Sequence, residues 1–378
     1  MNGGGTAMNV VVVGAGAIGT CTAYRLARQG AAVTLVDAQD PGRSLSAHSF
    51  AWVNAVDDGS TPYFALSRES LAAHRRLADE VPGRQWYRPT GNLAWAGSPE
   101  GAGSLLAAAE SYRSKGYPAE VLTGPQARAL EPALRLDDRA GPVVLYPEDA
   151  HLHPDRFLAE VQAAGRRQGV RLVLGDAAVA VEDRTVRLAS GVRLRGDVVV
   201  CCAGRGTGPL LASAGHAVPL VEPDDPAVTT RGLLVRTSPV PGDATVRRVL
   251  HAPGLSVRPH HGRRLVLHSH DVDHTLPADV PTAAEAVLGR LAAVVPAAAG
   301  VTVESAFVGV RPMPVDGHSV VGWLPGSDRL YVVVTHSGVT LAPVLAEIVT
   351  REVTGARHEL AEAFRPHRFA PADGPLSG

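Results

Sequence analysis

The stretch "VVVGAGAIGTCTAYRLARQGAAVTLVDA", residues 11–38, decides the fold. An apolar run, Val10 to Val13, ends at Gly14, and Gly14, Gly16 and Gly19 complete a GxGxxG pattern. Ala23, Leu26 and Ala27 recur at helical spacing, and Gly30 is placed to stop the helix. A second β-branched run, Val33 to Val36, ends in Asp37. Each glycine has its own physical task. The first makes the strand-to-helix turn, the second lets backbone approach a pyrophosphate, and the third lets helix pack on strand. The helix N-terminus, around Ala17 and Ile18, offers unpaired N–H groups and a partial positive charge to phosphates. Asp37, with Ala38 beside it at the cofactor, stands where a carboxylate takes a ribose 2′-OH; an acid there disfavours a 2′-phosphate and hence NADP. The stretch is a dinucleotide site.

Composition narrows the class. A chain of 378 residues exceeds one compact core and points to two domains sharing a cleft. Basic and acidic residues nearly balance, 36 against 37, which argues against nucleic acid or an anionic membrane surface as partner. Hydrophobic runs are strand-length, so no membrane span is expected. The start "MNGGGTAMNVVVV" lacks a basic n-region and reads as no signal peptide. Cys21, Cys201 and Cys202 form neither a disulfide framework nor a metal spacing. A soluble, cytoplasmic protein without a metal is the expectation. Lys115 is the only lysine.

Further pieces of the nucleotide domain lie far along the chain. Residues 151–183 read as a helix opened by Pro154 and closed by Gly169, then a strand. Residues 191–215 give a strand pair running into a glycine turn at Gly204, and 328–355 repeat strand, glycine turn and helix. Between them, 61–144 is helix-rich with "GNLAWAG" as an inserted strand. Residues 218–310 hold "TRGLLVRT", "LSVRPHHG" and "RRLVLHSH", short strands of an antiparallel sheet, followed by a helix near 282–295. The fold class is therefore α/β, or α+β overall. A Rossmann-type domain is assembled from discontinuous segments 8–60, 145–217 and 305–370, and an antiparallel-sheet substrate domain from 61–144 and 218–304. A nicotinamide dehydrogenase usually completes its Rossmann domain in one block. Here the last pieces return at the C-terminal end, which suits a cofactor buried along its length and retained: FAD.

Four motifs carry a resemblance to the D-amino acid oxidase family of flavoproteins, the glycine and sarcosine oxidase group, over nearly the whole chain. They are the N-terminal fingerprint, the loop "GRSLSAHSFAWVNA" (42–55), the "VVVCCAG" strand, and "VGVRPMPVDGHSVVGWLPGSDRLYVVVTHSGVTLAP" (308–343). The resemblance implies that the loop from Ser44 through Ser46, Ser49 and Phe50 to Ala51 runs along the ribityl chain and isoalloxazine. It places backbone near Ala178 at the adenine, and Val334 to Thr340, with Ser337, Gly338 and Val339, over the pyrimidine side of the flavin. Amides at a helix N-terminus would there stabilise the negative charge of a reduced flavin.

Amine oxidation by a flavin asks for orientation above all: the substrate Cα–H over flavin N5, the amine neutral, and a cation gripping the carboxylate. Arg311, in "GVRPMP", matches the family's carboxylate-binding arginine, and a guanidinium suits a bidentate carboxylate. Its alternative role is an ion pair with Asp316 or Glu304. His336, in "THSGVTLAP", falls where relatives put a substrate-facing polar residue, and could contact substrate or supply charge for oxygen reduction; the alternative is a turn histidine bonded to backbone. His48 lies in the flavin-side loop, as histidine does in sarcosine oxidases, and could equally contact only flavin or solvent. In "RRLVLHSH", alternation separates Val266, His268 and His270 from Leu265 and Leu267. With the leucines under helices, the histidines would face the cavity, with Asp271, Asp273 and His274 close by. Arg258 reads as a surface charge beside a turn, or as a second anion contact. Tyr63, Tyr87 and Tyr331 are too scattered along the chain to be given a place in the site.

Three departures from the family pattern matter. The cysteine that bonds flavin covalently in sarcosine oxidases is missing from "RPMPVDGH", so the FAD is expected to be noncovalent. The oxygen-activating lysine of those enzymes has no counterpart, since Lys115 reads as surface. The tyrosine that glycine oxidases offer to substrate is absent from "LSVRPH", which argues against glycine itself as substrate. The resemblance thus implies an FAD-dependent oxidoreductase acting on the C–N bond of an amino acid or N-substituted amino acid by hydride transfer to flavin N5. The imine would hydrolyse to an oxo acid plus amine or ammonia, with hydrogen peroxide if molecular oxygen, rather than another acceptor, takes the electrons. Alternatives are a 2-hydroxy-acid dehydrogenase of the same fold and a flavin-loaded partner subunit without turnover.

Overall fold

The computed structural model describes residues 7–40, 45–56, 59–136, 141–225, 227–242, 245–274, 276 and 279–369. The opening stretch forms strand Asn9–Val13, helix Ala17–Arg28 and strand Ala32–Asp37. Four consecutive valines favour a pleated strand, where β-branched side chains fit. All four are buried, as in a parallel strand covered on both faces. Gly14 turns the chain with φ of 101°, and a Cβ there would lie 2.4 Å from the Cys202 carbonyl oxygen, so only glycine fits. Gly30 follows the helix with φ of 89°.

These strands belong to a six-stranded sheet in the spatial order Val320–Trp323, Leu330–Val334, Val198–Cys201, Asn9–Val13, Ala32–Asp37, Arg171–Leu174. All neighbours are parallel except the antiparallel edge strand Val320–Trp323. The N-terminal strand is thus flanked by strands from distant parts of the chain. On one face, helix Ala17–Arg28 packs between helices Pro154–Arg167 and Gly338–Val353. On the other lie helix Thr207–Ala212 and a small sheet of Ala178–Glu182, Thr185–Leu188 and Arg193–Arg195. The strand pair read at 191–215 splits between sheets: Arg193–Arg195 joins the small one and Val198–Cys201 the large one. The tight turn at Gly196 permits this, since a Cβ there would lie 2.8 Å from the Val198 carbonyl oxygen.

An eight-stranded sheet forms the second layer, in the order Val303–Val310, Arg231–Thr237, Arg264–His268, Leu255–His260, Val249–Ala252, Asn92–Trp95, Val143–Tyr146, Glu120–Leu122. It is antiparallel apart from the parallel pairing of Val249–Ala252 with Asn92–Trp95, the strand inserted from the helix-rich segment. Leu265 and Leu267 pack in one core with Ala283, Ala284 and Val287 of helix Val280–Leu288. The single helix expected near 282–295 is broken after Leu288, where Gly289 weakens helix propensity, and resumes as Leu291–Val294.

Helix Thr61–Glu80 bridges the layers. Its Ser70 hydroxyl donates to the Thr340 carbonyl, and His74 Nε2 lies 2.9 Å from the same oxygen and 3.2 Å from that of Val339. Among the described residues, no helix is long and apolar enough to cross a membrane.

Candidate active site

A cavity of about 600 Å³ runs from the carboxyl ends of the parallel strands to the inner face of the eight-stranded sheet. In an open parallel sheet this is where ligands bind, because neighbouring connections leave in opposite directions and open a crevice. One end is walled by Gly14, Gly16, Ala17, Ile18, Asp37, Ala38, Ala178 and Gly204. Asp37 Oδ2 accepts the Ala15 N–H at 2.6 Å and Oδ1 accepts that of Gln39 at 2.9 Å. The carboxylate therefore braces the glycine turn while facing the cavity. Ser46 Oγ accepts the Ala17 N–H at 3.0 Å, tying the 42–55 loop to the helix N-terminus. Gly19 is set behind the wall: a Cβ there would lie 1.8 Å from the Gly14 carbonyl oxygen, so this glycine serves helix packing.

The other end gathers His48, Ser49, Phe50, His268, Arg311, His336, Gly338 and Val339. The His48 ring stacks on Phe307 with centroids 4.1 Å apart. His336 Nδ1 lies 2.9 Å from Ser337 Oγ, and its ring stacks on Tyr63 at 5.7 Å. Ala51, Ser337 and Thr340 are not on the wall. Ala51, with φ of 53°, is buried, and its carbonyl accepts the Leu152 N–H at 2.9 Å. Ser337 Oγ accepts the Tyr63 hydroxyl at 2.7 Å, and Thr340 Oγ1 donates to the Trp52 carbonyl at 3.0 Å. Ser44 lies outside the described residues.

Arg311 pairs with neither acid considered for it. Glu304 binds Arg264 and Asp316 binds Arg368. The Arg311 guanidinium instead donates to three backbone carbonyls, those of Thr229 at 2.9 Å, Arg231 at 3.3 Å and Thr230 at 3.4 Å. These fix its direction and leave its charge uncompensated by any carboxylate among the described residues.

His268 reaches the cavity as the strand alternation requires. Its Nε2 lies 2.7 Å from Asp273 Oδ2, while Oδ1 of the same carboxylate accepts the Leu233 N–H at 2.8 Å. The ligand atoms of His268, His270 and Asp273 lie within 4.8 Å of one another, a spacing that could hold a metal ion. Asp271 instead pairs with Arg290, and the His274 side chain lies outside the described residues. The surface reading of Arg258 is overturned. It is 1% exposed on a central strand beneath Ala150–Leu152, and its Nη1 donates to the carbonyls of Leu152 at 3.1 Å and Pro259 at 2.9 Å. Lys115 is exposed, with its ammonium 5.3 Å from the centre of the Phe64 ring.

Sequence reasoning left Tyr63 and Cys202 without a role at the cavity. Tyr63 comes from a long helix with no motif, and only its contact with the 335–340 turn reveals it. Cys202 lines the cavity beside Gly14, and burial pushes its thiol well above the ordinary value.

The residues present fit a flavin dinucleotide. Helices Ala17–Arg28 and Gly338–Val353 both start at the cavity, and neither N-cap residue bonds its helix through a side chain. Two sets of backbone amides therefore face one space, at the pyrophosphate end and at the ring end. The wall between is kept close by small residues: a Cβ on Gly309 would lie 2.4 Å from Leu45 Cδ1.

Known proteins share this fold. The chain is 24% identical over 388 residues to a glycine oxidase of Bacillus licheniformis, covering 95% of this chain and 97% of that protein. A glycine oxidase of Pseudomonas putida is 27% identical over 92% of this chain and 94% of its own. The solved structure of glycine oxidase from Geobacillus kaustophilus superposes with a TM-score of 0.83 at 20% identity, covering 97% of this chain and all of that one. Residues 9–352 match the DAO family, described as FAD dependent oxidoreductase. The chain belongs to that family: it is an FAD-dependent oxidoreductase.

Proposed function

We propose that the protein oxidises the C–N bond of an amino acid or N-substituted amino acid whose carboxylate is held by Arg311. The observation that carries this reading is the uncompensated, backbone-anchored guanidinium at the ring end of the cavity. A substrate carboxylate there gains a fork of charge-assisted hydrogen bonds and neutralises a cation that otherwise stays unpaired. When bound, FAD supplies the two-electron acceptor for the Cα hydride. The chain's part is orientation. Arg311 fixes the carboxylate, Phe50 and Val339 exclude water, and His268, held by Asp273, stands where a substrate amine or its proton can be met. The imine then hydrolyses to an oxo acid and an amine or ammonia. His336 and His48 are the cavity-lining histidines available to favour oxygen as the final acceptor, with hydrogen peroxide as its product.

The flavin is held noncovalently. Cys202 is the cysteine at the cavity, and its buried, protonated thiol is a poor nucleophile. The half-buried His268, paired with the buried Asp273, supports a second reading, since it could also take the hydroxyl proton of a 2-hydroxy acid. A substrate screen read by anaerobic bleaching of the flavin band separates the two. Amino acids or N-alkyl amino acids should bleach the flavin, and their decarboxylated amines should not. Bleaching by 2-hydroxy acids alone would overturn the assignment, as would equal reaction with amines lacking the carboxylate.

A further inference from the structure

A second cavity, of about 450 Å³, shares no lining residue with the first. It lies among strand Tyr87–Arg88, the start of helix Pro154–Arg167, and the turn joining strands Leu255–His260 and Arg264–His268. Its walls carry charge of one sign. Arg88, Arg247 and Arg263 line it; Arg88 and Arg263 have no ion-pair partner among the described residues, whereas the Arg247 backbone N–H donates to the buried Glu131 carboxylate at 3.1 Å. Arg156 is bonded through Nη1 to the neutral Gln85 side chain at 3.1 Å. The nearby acids are already engaged: Asp155 Oδ2 lies 2.9 Å from His261 Nε2, and Glu304 binds Arg264.

The cavity floor is buried and polar. His151 and His153 are 2% and 4% exposed, and His153 Nδ1 has no hydrogen-bond partner among the described residues. His153 is also the N-cap of a 14-residue helix and makes no side-chain cap bond, so the positive end of that helix opens on the same space. Behind it stands the buried Arg258, whose Nε is unpaired. A cation with this much uncompensated positive charge around it is a poor occupant, although Asp155, His260 and His261 have ligand atoms close enough to hold a metal ion. An anion meets a guanidinium on several sides, a helix N-terminus and an imidazole awaiting a partner. An imidazole carries at least one ring N–H in either protonation state, so His153 and His260 on the lining can each donate to such an anion.

We propose that this cavity is a second ligand site, separate from the flavin site, that takes a phosphate group borne by a small molecule. Its volume falls within the range of small-molecule pockets and leaves room for the body of a phosphate ester beyond the phosphate itself.

The test uses FAD-loaded protein, so that the dinucleotide site is filled, with ionic strength held constant. Inorganic phosphate and ribose 5-phosphate are titrated separately by calorimetry. The same titrations are run on Arg88→Gln/Arg263→Asn; asparagine tolerates the φ of 60° at position 263, and both side chains are exposed. A second variant, His153→Phe, removes the buried imidazole and leaves the surface charges. Saturable binding by the parent, weakened by about tenfold or more in the arginine variant and also reduced in His153→Phe, supports the site. Tighter binding of ribose 5-phosphate identifies an ester as the ligand, and equal binding identifies the free ion. Absence of saturable binding, or binding unchanged in the arginine variant with its flavin spectrum and thermal midpoint intact, overturns the proposal. Preferential binding of zinc chloride in the same titration also overturns it.

Discussion

The Tyr63 hydroxyl donates to Ser337 Oγ at 2.7 Å, and the same ring stacks on His336. One aromatic residue of the helix-rich segment thus holds the turn that starts the C-terminal helix. Tyr63→Phe keeps the stack and removes the bond. We expect a loss of about 0.5–1.5 kcal/mol, read as FAD release that is roughly two- to tenfold faster. Unchanged FAD dissociation would show that the turn is fixed without Tyr63.

Arg311→Ala should retain FAD and lose turnover. Breaking a desolvated charge pair from one side costs about 3–5 kcal/mol, or roughly two to four orders of magnitude in kcat/KM. Lysine should rescue in part, because it keeps the charge and loses the fork. Near-parental efficiency of the alanine variant on the true substrate would place the carboxylate grip elsewhere.

Asp37→Ala removes both a ribose acceptor and the brace on the Ala15 amide. The expected loss is about 1.5–3 kcal/mol, roughly 10- to 150-fold in FAD affinity. Equilibrium dialysis of the apoprotein with FAD measures it directly. A variant that binds as tightly as the parent rules out Asp37 as the ribose ligand.

Acid or heat should release all of the flavin as FAD, since no reactive thiol faces it. Precipitated protein is examined for residual flavin fluorescence after washing. A yellow pellet contradicts noncovalent attachment.

Stability should pass through a maximum near pH 6.5. Asp149 is fully buried, with the Trp52 indole donating to Oδ2 at 2.7 Å and the Tyr117 hydroxyl to Oδ1. Burial pushes its carboxyl up to about 8, against the opposing pull of Trp52, Asn92 and Arg68. The folded state therefore keeps a proton that the unfolded chain has released above about pH 4. That stabilisation is lost as pH rises through 8. Buried histidines act in the opposite sense. Burial lowers His74 to about 4 and His251 to about 3, so their contribution is complete above about pH 6.5 and is lost as pH falls. Denaturant unfolding should show the parent weaker at pH 8.5 than at 6.5, and Asp149→Asn nearly level between them. A parent equally stable at both values would sink the assignment to Asp149.

Much of this was legible in residues 11–38, because a glycine turn with φ of 101° and a valine strand buried on both faces leave their chemistry in local sequence. The alternation that sends His268 to the cavity was likewise readable, since strand period is fixed by the backbone. Arg258 was misread because its burial depends on a strand that arrives from residues 150–152, and nothing local signals that cover. Tyr63 escaped for the same reason: its partner is 274 residues away. Ala51, Ser337 and Thr340 fall within the right motifs, yet their side chains serve contacts between elements, which a motif does not specify.

The six-stranded sheet has a consequence for biogenesis. Its first strand is synthesised at residues 9–13, whereas the strand and helix that complete the ring end occupy 330–353. At ribosomal rates of about 5–20 residues per second, on the order of 15–60 s separate the two events. From its own synthesis until then, roughly 6–26 s at the same rates, strand Val198–Cys201 waits with one edge unpaired and four buried-type side chains exposed. The nascent chain can form its glycine turn early, but cofactor capture waits for residues 330–353. A supply of FAD at that time, or a chaperone that shields the waiting edge, should set the yield of holoenzyme more strongly than the rate of initiation.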